Sequence, residues 1–360
     1  MFFVVALAFF ASLSIRLDQY SITPGYAQPV GPLITVSGHP HDVARRSILL
    51  TDVYLTQLTV WQWIVAKLHP VHEQIISGAE LTDPGVPTSE LIAQGYLEMY
   101  DSQNSAKVAA MDALGYGVSG EHAGATVTGV GSASPNFGTL SVADRIVGAR
   151  GHTVTDVCSL LTALSGATPG RPVSLQVERA SISGSGAIHY AAPAAVSAAT
   201  AQVPSAAPPT GCPGAPKRSV WLGVSLEDSL QWQFPVDVSI NTANIGGPSA
   251  GLAMTLGVID ALSKGSLTGH RRIAATGTID PSGNVGDVGG VAEKTIAVEQ
   301  AGATVFLVPP QELAVARSAA SGGLKVIAVS TLSQALAAIE RLGGTAPSPI
   351  TSPTSSASRS

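Results

Sequence analysis

The 360-residue sequence is short of charge, of aromatic side chains and of cysteine, and each shortage removes a class of protein. Charged residues make up 12%, too few for a charge-rich disordered chain, while hydrophobic residues reach 45% and can fill a sizeable core. A net charge of -5 leaves no basic footprint, so nucleic acid is not an expected partner. The two cysteines, Cys158 and Cys212, are too few for a disulfide framework and lack C-x-x-C spacing; spacing alone leaves their pairing open. No G-x-x-x-x-G-K-[ST] loop occurs, so that phosphate cradle is missing. His39 and His41 ("HPH") and His69 and His72 ("HPVH") have no nearby acidic set, and Pro70 disrupts helical presentation. They read as surface histidines, and neither a metal nor a cofactor is expected.

What is present begins with an apolar run, Met1 to Ile15, that stops at Arg16. It is shorter than the roughly 20 residues of a spanning helix, and no Lys or Arg precedes it. Residues 1–17 are expected to form an uncleaved single-pass anchor in the cell membrane with the remainder extracytoplasmic, or a secretory segment if cleaved; a buried N-terminal strand or helix is the alternative. Residues 33–120 read as strands ("LITVSG", "RSILLTDVYLTQLTV") followed by two helices from Ser89. Asp101 or Ser102 would cap the second helix and Gly115 would end it. The role of this region is not legible.

Residues 121–190 form a β-rich unit holding the helix "DVCSLLTALSG". Its run "GSASP", "LSVADRI", "VGARGHTV" resembles that of a bacterial PDZ domain. The resemblance implies capture of an extended chain end as an added strand at a sheet edge, whereas a bare spacer domain would bind nothing. Ala143 stands where the family has a glycine before Asp144, so an altered turn is expected there. A hairpin around "SISGSGAIHYAA" follows, then a Pro/Ala-rich linker over 191–218; the tail, 344–360, reads as disordered.

Between 219 and 343, strands and helices alternate as in an α/β layer, from "SVWLGVSL" to the helix "TLSQALAAIERLGG" with its Ser330 or Thr331 cap. At one strand-to-helix junction stands "NIGGPSAGLAM", where Ser249 would sit beside unpaired backbone N–H groups. As a G-x-S-x-G elbow it would need Asp260 and His270 as partners, and these follow too closely for that fold. An ordinary capping or packing serine is a second reading. A third makes Ser249 a nucleophile served by a neutral lysine. Of Lys264, Lys294 and Lys325, Lys264 follows a helix end and reads as exposed. Lys294 falls on the apolar stripe of "GGVAEKTIAVEQAG" with Val291, Val298 and Ala301, opposite Glu293 and Gln300. Desolvation there would lower its pKa toward neutrality.

The stretches "GGPSAG", "TGTIDPSGNVGDVGGVAEK" and "AGATVFLVP" resemble the proteolytic domain of Lon proteases, strongly from about Phe234 to Pro309. Joined to a PDZ-like unit, they are similar to the ATP-independent Lon-like proteases of bacterial envelopes. The resemblance implies an α/β (α+β) Lon-type proteolytic domain preceded by a small β-rich PDZ domain. It implies a serine endopeptidase with Ser249 and Lys294 as catalytic dyad, Thr276 orienting the lysine, and the backbone around Gly247 and Pro248 holding the oxyanion. Gly246 replaces the acidic residue of many ATP-dependent relatives. Polypeptide substrates, a chain-end peptide at the PDZ unit and the membrane are the implied partners, and a homo-oligomer stays open. The competing expectation is a catalytically silent PDZ adaptor that retains the protease scaffold.

Overall fold

The computed structural model describes residues 9–37, 48–68, 74–81, 86–183, 187–205, 211–214, 218–263, 266–345 and 347. The two histidine pairs, Lys264 and the tail beyond 347 lie outside them. In chain order the elements are β1 (Arg16–Pro29), β2 (Ile34–Val36), β3 (Ile48–Thr59), α1 (Val60–Leu68), β4 (Gln74–Ser77), α2 (Gly78–Leu81) and α3 (Thr88–Ala113). Next come β5 (Ser119–Val130), β6 (Arg145–Ala149), β7 (His152–Thr153), α4 (Val157–Ala163), β8 (Val173–Glu178), β9 (Ala180–Ile182), β10 (Ile188–Tyr190), β11 (Ala194–Ala198) and β12 (Val224–Gln233). The last third holds β13 (Val238–Ile240), α5 (Gly251–Leu262), β14 (Ile273–Ala275), β15 (Thr278–Ile279), β16 (Val285–Gly286), α6 (Val291–Gln300), β17 (Val305–Val308), α7 (Leu313–Ala319), β18 (Lys325–Ala328) and α8 (Leu332–Arg341).

The larger sheet runs β18-β17-β14-β3-β1-β4. Its β18, β17, β14 and β3 are parallel neighbours, and β1 and β4 are added antiparallel. Strands packed on both faces should be apolar throughout, and all four residues of β17 are buried. Three of the six strands therefore come from residues 16–77, including the region whose role the sequence left unread. It completes the sheet on which residues 273–328 are laid.

One helix, not two, spans Thr88–Ala113. Ser102 does not cap locally, because its hydroxyl donates to the Pro248 carbonyl at 3.0 Å, so nothing stops the helix before Leu114 and the left-handed Gly115. Thr331 caps α8 as expected, accepting from Gln334 N–H.

The smaller sheet runs β11-β8-β6-β5-β12 over a core of Val127, Ile146, Leu160, Leu175 and Val177. The hairpin β9–β10 forms as expected. Two boundaries differ from the sequence reading. Residues 194–198 are not linker but a strand paired with β8, and small Ala/Ser side chains hid the alternation that buries Ala198. "SVWLGVSL" leads into β12, which pairs with β5 in this sheet rather than opening the α/β layer. Cys158 of α4 and Cys212 are joined by a disulfide, which fastens the loop after β11 onto α4.

Near the N-terminus residues 9–14 are helical, and among the described residues no helix is long and apolar enough to cross a membrane. At Ala143 the turn keeps the left-handed backbone of a glycine, with φ 71°, although the side chain is fully buried. The expected alteration does not occur. Instead Asp144 holds the turn, accepting from Ser141 N–H at 2.9 Å and pairing with Arg179. A left-handed alanine costs about 1–2 kcal/mol. Ala143→Gly should therefore raise stability by about 0.5–1 kcal/mol after the lost methyl burial, read as a shift in the denaturation midpoint at unchanged slope.

Candidate active site

The Ser249 turn is shaped by its glycines. Gly247 takes φ 84° and ψ 156°, a region open to glycine, and Pro248 begins a 3-10 turn, Pro248–Ala250, that leads into α5. A Cβ on Gly251 would lie 2.9 Å from Ile279 N and 3.0 Å from Ser102 Oγ, so this glycine lets α5 seat against β15 and α3. Nearly every residue of α5 is buried, which fits its apolar composition on all faces. Ser249 itself is half-buried.

Lys294 projects from the first turn of α6, whose N-cap Gly290 is left-handed with φ 67°. A Cβ on Gly290 would meet Val53 Cγ1 at 3.0 Å and Ile22 Cγ2 at 3.2 Å, so β1 and β3 form the wall behind the helix. Lys294 is 2% exposed, and its Nζ donates to Thr276 Oγ1 at 3.3 Å. The Thr276 hydroxyl donates in turn to the Ser249 carbonyl at 3.2 Å, and Gly277 N–H donates to the same oxygen at 2.9 Å. Thr276 thus lies between lysine and serine turn, held by its own N–H bond to the Leu307 carbonyl of β17. No hydrogen bond joins Ser249 Oγ directly to Lys294 Nζ. Burial pushes the Lys294 pKa down to about 8, against the opposing fields of Glu312 and Asp52.

Glu293 departs from the helical-wheel expectation. It is 5% exposed, and Oε2 has no hydrogen-bond partner among the described residues, while Gln300 faces solvent. α6 packs both on β1 and on α7, so its buried arc is wider than the apolar stripe of the wheel. The pairing of Asp260 and His270 does not arise either. Asp260 is buried and accepts from Leu267 N–H at 2.9 Å, which fixes the turn after α5.

The backbone donors are distributed unequally. Pro248 has no N–H, and Gly247 N–H donates to the Gly95 carbonyl of α3 at 2.7 Å. Ser249 N–H, at the second position of its turn, has no acceptor within that turn. Gly95 and Ser102 are therefore part of the site although more than 140 residues separate them from Ser249. The sequence signal for Gly95 was its place inside a helical run, where glycine is unfavourable without a packing reason. A Cβ on Gly246 would stand 3.3 Å from the Gly95 carbonyl carbon, so the two glycines allow loop and helix to touch.

A second cleft lies in the smaller unit. A cavity of about 280 Å³ runs between α4 and the start of β12, an edge strand, lined by Val157, Leu160, Leu164, Trp221, Val224 and Leu226.

The depressed lysine pKa carries a stability cost. The folded value lies below the unfolded one, so the cost is full below pH 8 and fades as pH rises toward 10.5. Lys294→Met should raise stability at pH 7 by about 2 kcal/mol, and the gain should shrink above pH 8 in pH-resolved melting curves.

Comparison with known proteins finds two matched domains in the chain. Residues 112–184 match the PDZ domain model, and residues 233–340 match the Lon protease (S16) C-terminal proteolytic domain. The chain is 37% identical over 107 residues to the Lon protease of Clostridioides difficile, covering 26% of this chain and 13% of that protein. It is 36% identical over 86 residues to the Lon protease of Porphyromonas gingivalis, covering 24% and 10% respectively. For the Lon protease of Rickettsia felis the figures are 27% over 122 residues, 33% of this chain and 15% of the relative. The chain thus spans only a small part of these relatives. A PDZ domain thus stands ahead of a Lon-type proteolytic domain, and over the latter the chain is similar to Lon proteases.

Proposed function

We propose that this chain is a serine endopeptidase in which Ser249 is the nucleophile and Lys294 its general base, working without ATP hydrolysis of its own. The observation that carries the reading is the buried Lys294 amine, bonded to Thr276 beside the Ser249 turn. A lysine in that setting has a substantial neutral fraction near pH 8 and accepts a proton. As Ser249 Oγ attacks a peptide carbonyl, its proton passes to Nζ, and the tetrahedral oxyanion is held by Ser249 N–H. Collapse breaks the C–N bond, and Nζ returns the proton to the leaving amine. Water, deprotonated by the same amine, then hydrolyses the acyl-serine. No Walker-type loop lies in these 360 residues, so substrates of this chain are flexible or already unfolded polypeptides.

The cleft between α4 and β12 suits an extended chain end added at the β12 edge, with apolar side chains placed between strand and helix. The Cys158–Cys212 disulfide supports an extracytoplasmic placement, because such bonds persist in oxidising compartments. The apolar Met1–Ile15 run supplies the proposed membrane attachment.

Purified full-length chain should cleave an unfolded polypeptide in the absence of nucleotide. Ser249→Ala and Lys294→Ala should each lower kcat/KM by at least about a thousandfold with an unchanged circular dichroism spectrum. Retained activity in both variants overturns the dyad, and an inert wild type that still binds peptide favours the adaptor. Because the neutral amine is the active form, kcat/KM should rise with pH through an apparent pKa of about 8.

A further inference from the structure

We propose that α1 and the helical residues 9–14 form a single lipid-facing surface, on which the β1/β3 end of the large sheet rests against an anionic bilayer. The inference rests on the reading that the N-terminal run enters a membrane, and it adds a second, distant segment to that contact.

The two helices leave the sheet side by side. Arg16 pairs with Thr59 across β1 and β3, and Val60 N–H donates to the Ile15 carbonyl at 3.0 Å, so one helix ends where the other begins. Their side chains also meet, with the rings of Phe9 and Trp61 edge-to-face at 5.2 Å. The face they share is apolar and open. Phe10 is 67% exposed and Leu68 70%, with Leu13, Ile15, Trp61, Ile64 and Val65 also exposed. Such a cluster is unusual on a water-facing surface. Only Ala66 of α1 is buried, so the helix is laid on the sheet by a narrow strip and leaves most of its girth free.

The chemistry around this face selects the occupant. From Val53 to His72 the sequence holds no carboxylate, and none occurs before Asp18. Arg16 and Lys67 are the cations at its rim, and Lys67 stands over the Trp63 ring at 6.0 Å. Apolar side chains edged by tryptophan and cations, on helices that carry no acid of their own, match the headgroup boundary of an anionic membrane. At nine residues α1 is about 14 Å long, far short of the hydrocarbon core, so it lies in the interface and does not span. β3 then leads from this surface to Asp52, whose charge is felt by Lys294. Seven residues of strand set that distance at about 20 Å, within reach of chains emerging at the membrane surface.

The test uses the full chain with phosphatidylcholine–phosphatidylglycerol vesicles whose acyl chains are brominated near the headgroup. Two of the four tryptophans lie in α1, so brominated lipid should quench up to roughly half of the emission. The Trp61→Phe, Trp63→Phe double variant should stay vesicle-bound and lose that quenched component, since Trp221 and Trp232 belong to the smaller unit. Ile64→Glu with Lys67→Glu should lift α1 from the lipid and abolish Trp61 and Trp63 quenching at an unchanged circular dichroism spectrum. A wild-type chain that is vesicle-bound but unquenched overturns the α1 contact and leaves the N-terminal attachment standing. Absence of vesicle binding overturns both. A soluble dimer in sedimentation that Ile64→Glu dissolves, with no lipid quenching, assigns the face to a second copy and overturns the proposal.

Discussion

Holding an amine away from water is the constraint around which the large domain is arranged. A lysine 2% exposed gives up its hydration, and folding tolerates this only because rigid neighbours leave the side chain no route to solvent. β1 and β3 supply that wall, pressing Ile22 and Val53 against the left-handed Gly290 so that α6 begins at a fixed depth. Among the described residues Thr276 offers the one hydrogen bond the amine makes, and Glu312 and Asp52 keep its pKa from falling further. The N-terminal strands are thus as necessary to the lysine's chemistry as the helix that bears it.

α3 performs the corresponding task for the serine and also ties the two units together. On one face, Gly95 and Ser102 grip the turn at Gly247 and Pro248. On another, Glu98 and Asp101 line a cavity of about 620 Å³ opposite Glu227 of β12. Burial, joined by the charges of Glu227 and Glu98, raises the Asp101 pKa to about 7. The same β12 borders the peptide-sized cleft of the PDZ domain and pairs along its whole length with β5, the strand that follows α3. A change at the cleft therefore has a continuous path of paired strand and packed helix to the Ser249 turn.

Legibility in the sequence followed the range of the interactions. Local signals read well: the Thr331 cap, the left-handed Gly115, the hairpin β9–β10, and the strand-helix alternation after 233 all depend on neighbours a few residues away. Ser249 and Lys294 were singled out by their turn and their helix stripe and Thr276 by the family resemblance, and one hydrogen-bonded chain links Lys294 through Thr276 to the Ser249 carbonyl. What escaped was non-local. Strand β11 is written in alanine and serine, so only its pairing with β8 identifies it. Ser102 had the chemistry of a cap but found a partner 146 residues away, which let the helix continue. Glu293 looked solvent-facing because the wheel contains none of the tertiary neighbours that cover a second side of α6. Ala143 shows the reverse case, in which the sequence broke a glycine rule and the surrounding bonds of Asp144 held the backbone regardless.

Under the proposed mechanism, the placement of α3 also decides which backbone group remains for an oxyanion. Gly247 N–H would be a natural donor, but the Gly95 carbonyl holds it at 2.7 Å. Releasing it would require α3 to withdraw, and the helix is pinned by Met99, Ala106, Ala110 and Met111, all buried in the main core. Shifting such a face opens cavities costing several kcal/mol, more than the roughly 1 kcal/mol net worth of one hydrogen bond. Gly247 is therefore a structural donor that sets the angle of the loop, and Pro248 has no proton to give. Ser249 N–H remains, unpaired in its own turn and next to the hydroxyl that attacks. In the proposed mechanism nucleophile and oxyanion donor then belong to one residue, and whatever positions that residue governs both.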